Sequence, residues 1–87
     1  MTPDARKALL YVELYRRRHG HGPTWRELRV ALGWTQENGV GYREASARIR
    51  ALHAHGLRWR SRVERSLNVE PRALERLLQE LRKERVT

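Results

Sequence analysis

Residues 42–70 read YREASARIRALHAHGLRWRSRVERSLNVE, and the spacing of apolar side chains changes halfway through. From Tyr42 to His55 the spacing is helical: Tyr42, Ala45, Ile49 and Leu52 recur every three or four residues on an inner face, and Gly56 ends the run. The outer face carries Arg43, Ser46, Ala47, Arg50 and Ala54, small residues alternating with arginines. Such a face lets a helix lie close to another surface and hydrogen-bond to it at the same time. After Gly56 the period drops to two. Leu57, Trp59, Ser61 and Val63 alternate with Arg58, Arg60 and Arg62, and then Leu67 and Val69 alternate with Ser66, Asn68 and Glu70. This pattern predicts two antiparallel strands over about 57–69, joined around Val63-Glu64-Arg65, with an apolar face down and an arginine face out. The turn lacks an Asn-Gly pair, so its own chemistry does not set the register.

On the N-terminal side, Thr2-Pro3-Asp4 supplies a hydroxyl cap, a proline for the first helical position and a carboxylate for the positive end of the helix dipole. A helix over about 3–19 follows, ending at His19-Gly20, with Ala5, Ala8, Leu9, Tyr11, Val12 and Tyr15 on its inner stripe. The run HGHGP is a loop. Thr24-Trp25-Arg26-Glu27 has the form of a capping box and opens a short helix over about 24–32, with Trp25, Leu28, Ala31 and Leu32 on one face and Gly33 as its stop. Thr35 to Gly41 is turn chemistry centred on Asn38-Gly39. Pro71 begins a last helix over about 71–85, striped by Ala73, Leu74, Leu77, Leu78 and Leu81. Leu10 and Leu14 lie on the far side of the first helix and need a cover. Together with Leu74, Leu77, Leu78 and Leu81 they form a seam, either between helices of one chain or between two copies.

The chain is one domain, 1–87, with a thin core: 39% of its 87 residues are apolar, 33% are charged and the mean hydropathy is −0.84. With zero cysteines, disulfide scaffolds, thiol catalysis and cysteine-based zinc fingers are excluded. No apolar run approaches the ~20 residues of a membrane span and no signal-peptide pattern opens the chain, so a cytoplasmic setting is expected, with no membrane partner. The net charge is +9, from 19 Lys+Arg against 10 Asp+Glu, and arginine supplies 17 of those cations. GC-rich coding or adaptation to heat accounts for an Arg-for-Lys exchange, but neither accounts for the excess itself, which draws the chain toward polyanions. Every segment shares in it: 1–33 carries +4, 34–56 +1, 57–70 +2 and 71–87 +2, so the basic surface belongs to folded elements rather than to a tail.

Helix, helix, turn, helix, basic hairpin, helix is the order of a winged helix-turn-helix domain with an added C-terminal helix, mainly α with a small β-hairpin. The pattern G-x-G-P-T-x-x-E-L-x-x-x-L-G-W from Gly20 to Trp34 resembles the second-helix region of the DNA-binding domain of LexA-type repressors. The stretch A-S-A-R-I-R-A-L-H-A-H-G-L from Ala45 to Leu57 resembles the end of their third helix and the turn into their wing, and the likeness spans roughly residues 4–62. Two features depart from the family. The turn from Thr35 to Gly41 is several residues longer, and no Ser/Lys protease domain is expected, so autocleavage is not implied. The closing helix is similar to the terminal pairing helices of small MarR- and PadR-type regulators, which implies a homodimer.

The resemblance implies a sequence-specific double-stranded DNA-binding protein, a small transcriptional repressor. Arg43, Ser46 and Ala47 would lie nearest the base edges and Arg50 one turn on, because a helix of this size enters the major groove with its N-terminal outer residues foremost. Arg58, Arg60 and Arg62 on the wing would meet phosphates or the minor groove. Thr24, Trp25 and Arg26 would anchor a phosphate at the start of the second helix. Each assignment has a plainer counterpart: a solvated polar face for Arg43 and Arg50, ordinary strand alternation for the wing, dipole complementation for Arg16-Arg17-Arg18, and core volume for Trp25, Trp34 and Trp59 in a chain without phenylalanine. Docking onto a partner protein such as RNA polymerase is the alternative function, and RNA binding a further one. The pairs His19/His21 and His53/His55 diverge on a helix and have no carboxylate or cysteine at ligand spacing, so no metal and no cofactor are expected. No nucleophile–base pair, acidic cluster or phosphate-binding glycine loop marks an enzyme.

Overall fold

A computed structural model describes residues 1–86, without the side chains of residues 85 and 86; Thr87, the last residue of the expected domain, lies outside the described residues. Helix α1 spans Pro3–His19, with the Thr2 hydroxyl accepting from the Ala5 N–H at 3.2 Å and Gly20 closing its end. Helix α2 spans Trp25–Ala31 and carries both bonds of the capping box: the Glu27 N–H donates to Thr24 Oγ1 and the Thr24 N–H donates to Glu27 Oε1, each at 3.0 Å. A single 3-10 turn, Gln36–Asn38, follows, and the Asn38 side chain donates to the Gly33 carbonyl at 2.8 Å. Helix α3 spans Tyr42–Ala51. Strands β1 (Leu57–Arg58) and β2 (Asn68–Val69) pair antiparallel, Leu57 opposite Val69 and Arg58 opposite Asn68. Helix α4 spans Pro71–Val86. The described residues are mainly helical with one two-stranded antiparallel hairpin.

Helix α1 is the hub. It packs on α2, α4 and β2, and its Ala5, Ala8, Leu9 and Val12 are buried. Around them close Leu28 of α2, Ile49 of α3, Leu57 and Val69 of the strands and Leu77 of α4. Trp34 is core, as expected; Trp25 and Trp59 are half-buried at the core's edge.

Three expectations need correction. The helix read over 42–55 ends at Ala51, and Leu52–His55 tightens into a 3-10 turn before Gly56. There the chain doubles back at φ +110°, and a Cβ on Gly56 would fall 2.1 Å from that of Ala73. Tyr42 is 69% exposed rather than inward, because it stands at the first position of α3, where Val40 already fills the core (8% exposed). The strand alternation stops after two residues each. Arg62 and Arg65 adopt φ of +64° and +58°, which breaks a pleat, and Val63 turns out to solvent at 52% exposure.

The leucine seam divides. Leu77 is wholly buried and belongs to the core, and Leu10, Leu74 and Leu81 pack partly against it, whereas Leu14 (56% exposed) and Leu78 (38% exposed) are uncovered. This split sets an expected outcome. Leu77→Ala should cost about 2–5 kcal/mol and Leu78→Ala less than about 1 kcal/mol in urea unfolding followed by tryptophan fluorescence. Equal losses would mean that α4 sits in a different rotation.

Candidate nucleic-acid interface

The arginines sort by whether a carboxylate holds them. Arg17 pairs with Glu13 at 3.1 Å, Arg48 with Glu44 at 3.3 Å, Arg65 with Glu27 at 3.1 Å and Arg58 with Glu70 at 3.6 Å, and Arg6 pairs with Glu84. Among the described residues no such pair forms at Arg26, Arg43, Arg50, Arg60 or Arg62, nor at Arg16 or Arg18.

Helix α3 exposes the expected stripe. Arg43, Ala47 and Arg50 are exposed and Ser46 is half-buried, and their spacing of three, four and seven residues puts them on one side. A cleft of about 410 Å³ is lined by Arg50 of α3, by Trp25 of α2, and by Trp59, Arg60, Ser61, Arg62, Val63 and Glu64 of the hairpin loop. A second cleft, about 260 Å³, shares Trp25 and is lined by Arg26, Arg29, Tyr42, Ser46 and Ile49. The outer face of α3, the start of α2 and the hairpin loop therefore share one side of the molecule. Glu64 is the acid in the first cleft, against three arginines.

Aromatic packing sets the crease between these elements. Trp59 meets Trp25 edge-on at 5.2 Å and His53 edge-on at 5.8 Å. The Arg29 guanidinium lies over the Tyr42 ring, 5.2 Å from its centroid, and its buried Nε has no hydrogen-bond partner. The periodicity does not mark Arg29 and puts Tyr42 on the inner face; the two meet because α2 packs on α3.

Two expected contacts are otherwise engaged. Arg58 is half-buried and folds back, donating to the carbonyls of His53 at 2.7 Å and Leu57 at 3.0 Å as well as pairing with Glu70, because the two-residue ladder sets it beside the α3 exit. Thr24 spends its hydroxyl and its N–H inside the capping box, while Arg26 beside it is exposed. The two histidine pairs go separate ways. His19 and His21 stack with 6.0 Å between rings beside Tyr15, and His53 faces Trp59. Among the described residues no three His, Cys, Asp or Glu side chains gather as a metal site, and no helix is long and apolar enough to cross a membrane.

The capping box accounts for one partner of Glu27, and its carboxylate has three. Its carboxylate accepts from the Thr24 N–H, from the Tyr15 hydroxyl at 2.9 Å and from Arg65 Nη1 at 3.1 Å, and Arg65 Nη1 also donates to the Tyr15 oxygen at 2.8 Å. The Thr24 N–H leads in holding the Glu27 carboxyl down, from an ordinary 4.5 to about 2, with Tyr15, the Thr24 hydroxyl and Arg65 assisting. Only the Tyr15 hydroxyl signalled this from sequence, as a polar tip on a core stripe that needs a partner.

No family model, curated protein or solved structure matches this chain.

Because the folded pKa of Glu27 lies below its unfolded value, its contribution to stability is complete above about 4.5 and is lost as the pH falls from there through about 2. Urea midpoints measured from about pH 5 down to about pH 2 should fall more for the unaltered chain than for Glu27→Gln, which keeps the capping geometry but cannot titrate. Identical pH profiles would remove Glu27 from the account.

Proposed function

We propose that this chain is a winged helix-turn-helix protein that binds double-stranded DNA in a sequence-specific way and represses transcription by occluding a promoter in the cytoplasm. One observation carries the reading: Arg50 of α3 and Arg60 and Arg62 of the hairpin loop line a single cleft, without carboxylate pairs, beside the exposed stripe that starts at Arg43.

The dimensions agree. Ten residues of α3 make a rod about 15 Å long, and the major groove, about 12 Å wide, admits a helix. With α3 in the groove, Arg43 stands at its leading end, positioned for a bidentate contact to guanine, with Ser46 and Ala47 against the base edges. Arg50 and the hairpin's Arg60 and Arg62 then meet the flanking backbone, with Arg26 beside them. The chemistry is binding rather than catalysis. Two copies on a roughly palindromic site complete the reading, with Leu14 and Leu78 as the apolar side chains that α1 and α4 leave uncovered for a second chain.

Titration of specific and scrambled duplexes separates the roles. Arg43→Ala should lose about 1–3 kcal/mol on the specific duplex and flatten the preference. Arg60→Ala should weaken both duplexes alike and make the log–log salt dependence shallower by about one unit. Arg58→Ala should act through folding and leave that slope unchanged. Capture of RNA polymerase without any duplex shift at about 100–150 mM salt, or a preference for RNA hairpins over duplex DNA, would overturn the reading.

A further inference from the structure

Beyond its two paired residues per strand, the hairpin has no ladder to hold it. Its loop is instead closed by side chains. The Arg60 N–H donates to Ser66 Oγ at 2.9 Å, and that hydroxyl donates to the Val63 carbonyl at 2.8 Å. Asn68 Nδ2 donates to the Ser66 carbonyl at 3.0 Å. These bonds make the loop a small rigid body but tie it to nothing outside the hairpin.

Arg65 supplies the tie. Its guanidinium bridges the Tyr15 hydroxyl on α1 and the Glu27 carboxylate on α2, while its carbonyl accepts from the Gly22 N–H at 3.1 Å. Gly22 is needed for that approach, since a Cβ there would fall 2.1 Å from the Leu67 carbonyl oxygen. Arg65 also sits at φ +58°, a left-handed conformation that is strained for a residue with a side chain and persists only where the surroundings hold it. Three contacts do so, one on α1, one on α2 and one on the loop between them. Glu27 is at the same time the capping residue of α2, so the tie is keyed to the helix whose Trp25 meets Trp59 at the loop's base.

We propose that Arg65, gripped by Tyr15 and Glu27, is a positioning residue that fixes Arg60 and Arg62 at one separation from α3, so that affinity for duplex DNA depends on a three-residue clamp that does not touch the DNA. The inference rests on the duplex-binding reading above. The clamp confers preorganisation: with it closed, the loop meets the backbone without first being ordered, and with it open, that ordering entropy is charged against binding.

Tyr15→Phe and Glu27→Gln test it, each retaining shape, one without changing charge and the other raising the net charge by one. Two measurements are made on each. Amide exchange by NMR on the free protein reads the loop directly, and exchange at Gly22 and Arg60 should quicken by about tenfold while that of α1 core amides stays unchanged. Binding to a random-sequence duplex of about 20 base pairs should weaken about fivefold for both variants. For Glu27→Gln, bulk electrostatics alone demands the opposite sign, because the added positive charge tightens duplex binding. Arg60→Ala combined with Tyr15→Phe should cost less than the two single losses together, since the loop cation counts only while the clamp places it. Unchanged exchange at Gly22, or quickened exchange with undiminished affinity, would overturn the clamp while leaving the duplex reading intact. Failure of the unaltered chain to bind any duplex would overturn both.

Discussion

The Glu27 carboxylate receives the Thr24 N–H from its own helix, the phenol of Tyr15 from α1 and the guanidinium of Arg65 from the hairpin loop. Its place in the middle of these is what relates the three parts of the molecule. Helix α2 needs an acceptor at its N-terminus, because the first N–H groups of any helix have no partner within it. The hairpin needs an anchor, because two ladder pairs leave the loop between Trp59 and Leu67 without strand pairing. One side chain meets both needs, so the start of α2 and the position of the loop are set by the same atoms.

Magnitudes decide which of the many charges matter for this. A solvent-exposed ion pair contributes about 0–1 kcal/mol, so pairs such as Arg17–Glu13 and Arg48–Glu44 trim the helices and little else. The Arg65–Glu27 pair is exposed as well; what sets Glu27 apart is that the same carboxylate also accepts from the Thr24 N–H and the Tyr15 hydroxyl. Nor does the core oppose this division. Leu57, Leu67 and Val69 anchor the hairpin's root beneath α1, leaving its far end to polar contacts. Apolar burial supplies the stability of the domain, and the charged cluster supplies its shape.

How much of this the sequence disclosed follows the range of each interaction. Thr2, the Thr24–Glu27 box, Asn38-Gly39 and Pro71 act on their own neighbours, and the elements they bound lie within a residue or so of where the sequence puts them. The exposed stripe from Arg43 to Arg50 was legible for the same reason, since helical spacing alone fixes it. The hairpin was misread past its root. Alternation of Arg58, Arg60 and Arg62 reports a strand only if the backbone stays pleated, and positive φ at Arg62 and Arg65 has no signature in residues that seldom adopt it. Arg58 and Arg65 looked like their neighbours. Their partners, Glu70 and the Tyr15–Glu27 pair, are brought to them by the chain reversal and by packing on α1 and α2, both of them non-local.

The joint at Gly56 is close-packed. The Ala73 methyl fills the space where a side chain on Gly56 would stand, and the Glu70 N–H donates to the Gly56 carbonyl at 2.8 Å. The first turn of α4 is thus seated directly against the chain reversal that follows the 3-10 turn, and any side chain at residue 56 would have to push the two apart.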